Sequence, residues 1–176
     1  MKLSFLWKGF AGHPLHPPLT DATIGSYTFA TVMAVVSWLG VSDANTATAW
    51  WLALITGLVI TVPTALAGFA DWLEISRGTP LWRTATLHLA AMVTATVVFA
   101  VAAGAGHGDY VDREISGSSL VLTLIAFGVL TLGGWLGGAN VFVHGMRVLS
   151  LVDEQTARAV APVPYAEKEE AEEGGR

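Results

Sequence analysis

AWWLALITGLVITVPTALAGFADWL, residues 49–73, is the stretch that decides the fold class of this chain. Asp71 is the only charged side chain within it. A helix that spans a bilayer needs about 20 consecutive, mostly apolar residues. Because the stretch exceeds that length, it predicts a transmembrane helix rather than a helix of a soluble core.

Further stretches on both sides pass the same test, and the predicted spans are 19–39, 49–73, 81–103 and 119–145. Only 13% of the 176 residues are charged, against about 25% in soluble domains. No span alternates as a barrel strand does, and short connections favour antiparallel neighbours. The sequence therefore predicts an all-α chain that forms a four-helix transmembrane bundle, since only helices and closed barrels satisfy the backbone in lipid.

Charges and tryptophans outside the apolar stretches predict the orientation. Of the nine Lys and Arg residues, only Arg113 lies in the connections after the first and third spans. The positive-inside rule then predicts cytoplasmic termini in a multi-pass protein of the bacterial cytoplasmic (inner) membrane. The tryptophans should mark the interfaces, with Trp38, Trp50 and Trp51 on the outer side and Trp72 and Trp82 on the inner side.

The chain divides into three segments. Residues 1–18 should form a cytoplasmic or interfacial segment, residues 19–148 the transmembrane domain, and residues 149–176 an acidic, disordered cytoplasmic tail. The chain has no cysteine, which excludes thiolate metal sites and disulfides within it.

Small and polar side chains form a stripe at helical spacing in each span, and such stripes are typical of helix contacts in lipid. The second span carries Gly57, Thr61, Thr64, Gly68 and Asp71; the fourth carries Gly133, Gly137, Asn140 and His144; the first carries Asp21, Gly25 and Thr28; the third carries Thr84, His88, Ala91 and Ala95. We expect these stripes to face the interior of the bundle.

Ionisable side chains gather at one end of the predicted bundle. GHPLHPPLTD, residues 12–21, holds His13 and His16 among prolines at the start of the first span. Pro17 or Pro18 can begin the helix, where a missing N–H costs nothing. Ionisable groups within a span are costly and usually mark function, with a partner nearby. The sequence therefore predicts one polar site at the cytoplasmic end, formed by His16, His88, His144 and Asp71.

Three chemistries fit such a site. Haem b would take two imidazoles, from His88 and His144 or from a pair that includes His16, with room supplied by Gly133, Gly134, Gly137 and Gly138. A divalent metal ion would take imidazole and carboxylate ligands from His13, His16, Asp71, His88 and His144. In a structural or assembly subunit, the histidines would only form a hydrogen-bond network. No nucleophile–base pair or phosphate loop is present in the sequence, so we assign no catalytic residue.

Four motifs resemble one family of bacterial membrane proteins. GHPLHP (12–17), GFADW (68–72), His88 and GGANVFVHG (137–145) resemble the family called domain of unknown function 2231, over residues 12–148. The resemblance implies that His13, His16, Asp71, His88 and His144 occupy the family's motif positions. Members of that family occur beside or fused to redox modules such as Rieske or cytochrome c domains. The expected partners are therefore the lipid bilayer and a redox protein or a second copy of the chain, and not nucleic acid.

Overall fold

Five helices make up the computed structural model of the chain, which describes residues 13–148. They are α1 (His16–Trp38), α2 (Asp43–Leu73), α3 (Pro80–Ala105), α4 (His107–Asp112) and α5 (Gly117–Phe142). The four long helices are long and apolar enough to cross a membrane. The predicted all-α, four-span membrane protein is confirmed, whereas the short helix α4 was not predicted. Residues 1–12 and the acidic tail at 149–176 lie outside the described residues.

Local sequence explains where the helices begin. Prolines occupy the first turn of α1 and of α3, where the helix needs no N–H donor. The Thr79 hydroxyl caps α3 by accepting from the Trp82 N–H at 3.1 Å. The Asp109 carboxylate accepts from the Ser116 N–H at 2.9 Å and from its hydroxyl at 2.8 Å. That contact ties α4 to the start of α5.

The four long helices form a ring of neighbours. Helix α1 packs mainly on α2, and α3 packs mainly on α5; the ring is closed by α2 against α3 and by α5 against α1. Helices α1 and α3 therefore lie on one diagonal, and α2 and α5 on the other. At the centre, the rings of Tyr27 and Phe99 stack across the first diagonal, with centroids 4.0 Å apart.

Inside the bundle, small and polar side chains pack around a few large ones, chiefly Tyr27, Trp50 and Phe99, while many large apolar side chains cover its outside. The exposed set includes Val59, Val62, Leu66, Val97, Leu124, Leu132 and Trp135. Such an outer surface suits lipid rather than water. Trp50 departs from the predicted interfacial belt: its side chain is fully buried, and its indole N–H donates to the Thr123 hydroxyl at 3.0 Å. The belt prediction is wrong for Trp50, because this indole finds its hydrogen-bond partner inside the protein.

The predicted stripe on the first helix is also wrong. Asp21 and Gly25 are exposed, and α1 instead buries Thr23, Tyr27, Ala30 and Ala34. The aromatic ring decides this orientation. Tyr27 lies in the space left by the missing side chain of Gly57, and its hydroxyl shares a hydrogen bond with Thr61 at 2.9 Å.

Candidate functional site

His16 is held in place by two features of α2. Its Nδ1 lies 3.0 Å from the Thr64 carbonyl oxygen, and since a carbonyl only accepts, Nδ1 is the donor. Its ring lies directly on Gly68, where an added Cβ would come within 2.5 Å of the ring carbon Cε1. The prolines after His16 start α1 and so fix the position of this imidazole at the first residue of the helix.

His88 is held by α5 in the same way. Its Nδ1 donates to the Gly133 carbonyl oxygen at 2.8 Å. Its ring lies on Gly137, where an added Cβ would come within 2.9 Å of Cε1. Gly134 and Gly138 do not share this role: a Cβ at Gly134 would meet no atom within 4 Å, and one at Gly138 would meet only Phe142.

The two histidine environments repeat each other. Each imidazole lies on a glycine and donates to the carbonyl four residues before that glycine. Tyr27 and Phe99, which stack at the centre of the bundle, follow their histidines at equal spacing. Because α1 pairs with α2 as α3 pairs with α5, an approximate two-fold axis along the bundle relates the two helix pairs.

Across this axis the two imidazoles face each other. The ring centroids of His16 and His88 are 6.5 Å apart, and the ring planes cross at 83°. Both side chains are half-buried. Because each Nδ1 carries the proton that it donates, the neutral ring has its lone pair on Nε2. Metal-binding histidines in proteins are oriented by this same kind of N–H bond to a carbonyl.

The other predicted site residues have separate partners. His144 is exposed, and its Nε2 lies 3.1 Å from the Thr84 hydroxyl. Asp71 is buried and accepts from the Arg147 guanidinium. His13 lies exposed ahead of α1. Within residues 13–148, no three His, Asp or Glu side chains converge as metal ligands would. The structure thus brings together two of the four predicted groups, His16 and His88.

His144 lies beyond the end of α5 and contacts Thr84, one turn before His88 on α3. The helix stops at Phe142, Gly145 has a positive φ of 67°, and the Gly145 N–H donates to the Val141 carbonyl at 3.1 Å. This is a helix ending of the αL type. After α5 the chain therefore leaves the helical path, whereas the predicted span continued to residue 145.

Arg147 is the polar residue at this end that sequence reasoning missed, whereas Asn140 was predicted to face the interior and is buried. Arg147 binds Asp71 and also donates to Glu74 at 3.2 Å. Asn140 occupies the position on α5 that Asp71 occupies on α2, counted from Gly137 and Gly68. Within residues 13–148, its side-chain oxygen is buried without a hydrogen-bond partner. The signal for Arg147 was available, because a buried carboxylate requires a cation and Arg147 directly follows the last span.

One family model matches the chain, over residues 12–150, and its description is "Predicted membrane protein (DUF2231)". No curated protein and no solved structure matches the chain.

Proposed function

We propose that this chain, which belongs to the DUF2231 family of membrane proteins, is a membrane subunit. It holds one metal-centred cofactor between His16 and His88. The subunit would serve membrane redox chemistry together with a partner protein. The observation that carries the proposal is the facing pair of imidazoles, each fixed through Nδ1 by a backbone carbonyl.

The separation of the rings supports one metal centre shared by both histidines. A metal–imidazole bond is about 2.0–2.1 Å, and a ring nitrogen lies about 1.1 Å from its ring centroid, so two imidazoles in line on one ion have centroids about 6.2–6.4 Å apart. The observed separation is 6.5 Å. The separation of the two ring centroids therefore matches that of two imidazoles that share an ion.

The hydrogen bonds support the same reading of the pair. With Nδ1 protonated, Nε2 has no proton to donate and can act as a ligand. The His16 Nε2 lies 3.5 Å from the Thr20 hydroxyl, which is longer than a normal hydrogen bond of this kind. Thr20 instead donates to the His16 carbonyl at 2.8 Å. A metal ion would bind the Nε2 lone pair, which neither of these contacts uses.

Elemental analysis of the full-length protein, purified from its native membrane, tests the proposal. We expect about one transition-metal ion per chain. The variants His16→Asn and His88→Asn should lose it, because the asparagine amide can keep the bond to the Thr64 or Gly133 carbonyl but offers no Nε2. His107→Ala is the matched control, since this exposed ring lies against Trp51 and Tyr110 at the other end of the bundle.

Metal-free parent protein, or equal metal content in both asparagine variants, would overturn the proposal. Such a result would favour a structural subunit, for which a second observation exists. His16, Thr64 and Thr23 form a connected set of contacts between α1 and α2, with the two threonine hydroxyls 3.0 Å apart. A purely structural role predicts metal-free protein that the asparagine substitutions destabilise, because they remove the rings packed on Gly68 and Gly137.

The proposal places the histidine pair near the cytoplasmic face of the inner membrane. Alkaline phosphatase fused at Asp43 or Asp109 should be active, because both positions lie at the end of the bundle opposite to His16 and should be external by the charge rule. A fusion at Ser76, between α2 and α3, should be inactive. The reverse pattern would contradict the orientation.

A further inference from the structure

We infer that the centre between His16 and His88 is a haem, bound through both faces of its iron by two imidazoles whose planes are crossed. This inference rests on the proposed function and names the chemical class of the cofactor. It is carried by the number of ligands, the geometry of the two rings and the symmetry of their surroundings.

The number of protein ligands favours a macrocycle over a bare ion. Zinc in proteins takes three or four protein ligands, and other first-row ions are commonly held by several imidazole and carboxylate groups. Within residues 13–148, no third His, Asp or Glu joins the pair. The nearby carboxylate of Asp71 is occupied by Arg147. A porphyrin supplies four nitrogens in one plane and leaves two axial positions, which is the number of imidazoles present.

The symmetry of the site suits a ligand with two equivalent faces. His16 and His88 come from α1 and α3, which lie on one diagonal of the bundle, and the pseudo-two-fold axis passes between them. Each ring packs on a glycine and donates through Nδ1 to the carbonyl four residues before that glycine. A porphyrin whose plane runs along this axis, between the two rings, would present equivalent faces to both histidines. A ligand with one reactive face would not require the repeat.

The interior beside the rings is built from small residues. Gly68 and Gly137 lie directly against the imidazoles, and Gly133 lies against Met92, whose sulfur would be 2.7 Å from an added Cβ. Ala91 and Ala95 follow His88 along α3, and Ala95 is buried. The two imidazoles and Met92 occupy the space over these glycines, and of the three side chains the flexible Met92 can move aside for a macrocycle.

Haemin titration of the purified full-length chain tests this inference. We expect saturation at about one haem per chain, with a sharp Soret band of six-coordinate, low-spin iron. Because the ring planes cross at 83°, the ferric form should give the strongly anisotropic low-spin EPR signal that perpendicular axial imidazoles produce. His16→Asn and His88→Asn should each abolish the six-coordinate spectrum, and His107→Ala should retain it.

Haemin uptake that does not saturate, or a spectrum that neither asparagine substitution changes, would overturn the inference. A rhombic EPR signal of parallel imidazoles would also contradict it, since the rings would then not be crossed. Stoichiometric metal without haem would overturn the haem assignment and leave the proposed metal-centred site standing. Protein that contains neither metal nor haem, and takes up neither, would overturn both.

Discussion

Gly137→Leu will push His88 out of its position and separate α3 from α5. A Cβ at residue 137 would already lie 2.9 Å from Cε1 and 3.1 Å from Nδ1 of His88, and a leucine adds three more carbon atoms. The ring cannot retreat without losing its 2.8 Å bond to the Gly133 carbonyl. We expect a loss of about 2–3 kcal/mol in the free energy of unfolding, as for an overpacked core.

Gly134→Leu is the matched control, because it places the same side chain on the same helix where a Cβ meets no atom within 4 Å. Unfolding in a detergent titration, followed by circular dichroism, should separate the two variants. Gly68→Leu should repeat the effect of Gly137→Leu at His16, since an added Cβ there would lie 2.5 Å from the ring. Equal stability of the two α5 variants would show that the close approach of ring and glycine is not needed.

Arg147→Met will leave the Asp71 carboxylate buried and without its cation. Asp71 is 7% exposed, and Arg147 is the residue that pairs with it. Removing one partner of a buried ion pair commonly costs about 3–5 kcal/mol. Since the Arg147 side chain is 31% exposed, water can reach the Asp71 carboxylate and partly replace the guanidinium. We therefore expect a loss of about 2–3 kcal/mol in the free energy of unfolding.

The double variant Arg147→Met with Asp71→Asn should recover much of that loss. It replaces the unpaired charge by the neutral amide that α5 already has at the matching position, Asn140. Arg83→Met at the exposed start of α3 is the control and should change stability little. Detergent unfolding midpoints of the parent, Arg147→Met, Asp71→Asn and the double variant measure the coupling directly. If the double variant is no more stable than Arg147→Met, the carboxylate charge is not the source of the loss.

The repeat within the chain leaves a weak signal in the sequence, because its elements stand at equal spacing within each helix. His16 and Tyr27 correspond to His88 and Phe99, and Gly68 with Asp71 corresponds to Gly137 with Asn140. Each pair alone is too short and too common in apolar helices to stand out. Only the stacking of Tyr27 on Phe99 and the matched hydrogen bonds of the two histidines show that the pairs belong to one pattern.

The sequence by itself determined the four spans, since the lipid solvent requires long apolar helices. Their ends differ from the predicted ones, most of all at the start of α2, which is Asp43 rather than residue 49. The sequence also determined that the α2 stripe, with Gly57, Thr64 and Gly68, faces a neighbouring helix. Helical spacing alone identifies a face whenever only one face carries small and polar residues. Helix α1 has such residues on two faces, so its stripe was assigned to the wrong side.

Only the tertiary structure decided which ionisable groups meet. Helical periodicity states which face a side chain occupies but not which helices lie on a diagonal, and the pairing of His16 with His88 depends on that arrangement. The partners of His144 and Asp71 depend on the turn at Gly145, which ends α5 and directs Arg147 to Asp71. A few backbone dihedral angles fix that turn, and these angles respond to contacts between residues far apart in the sequence.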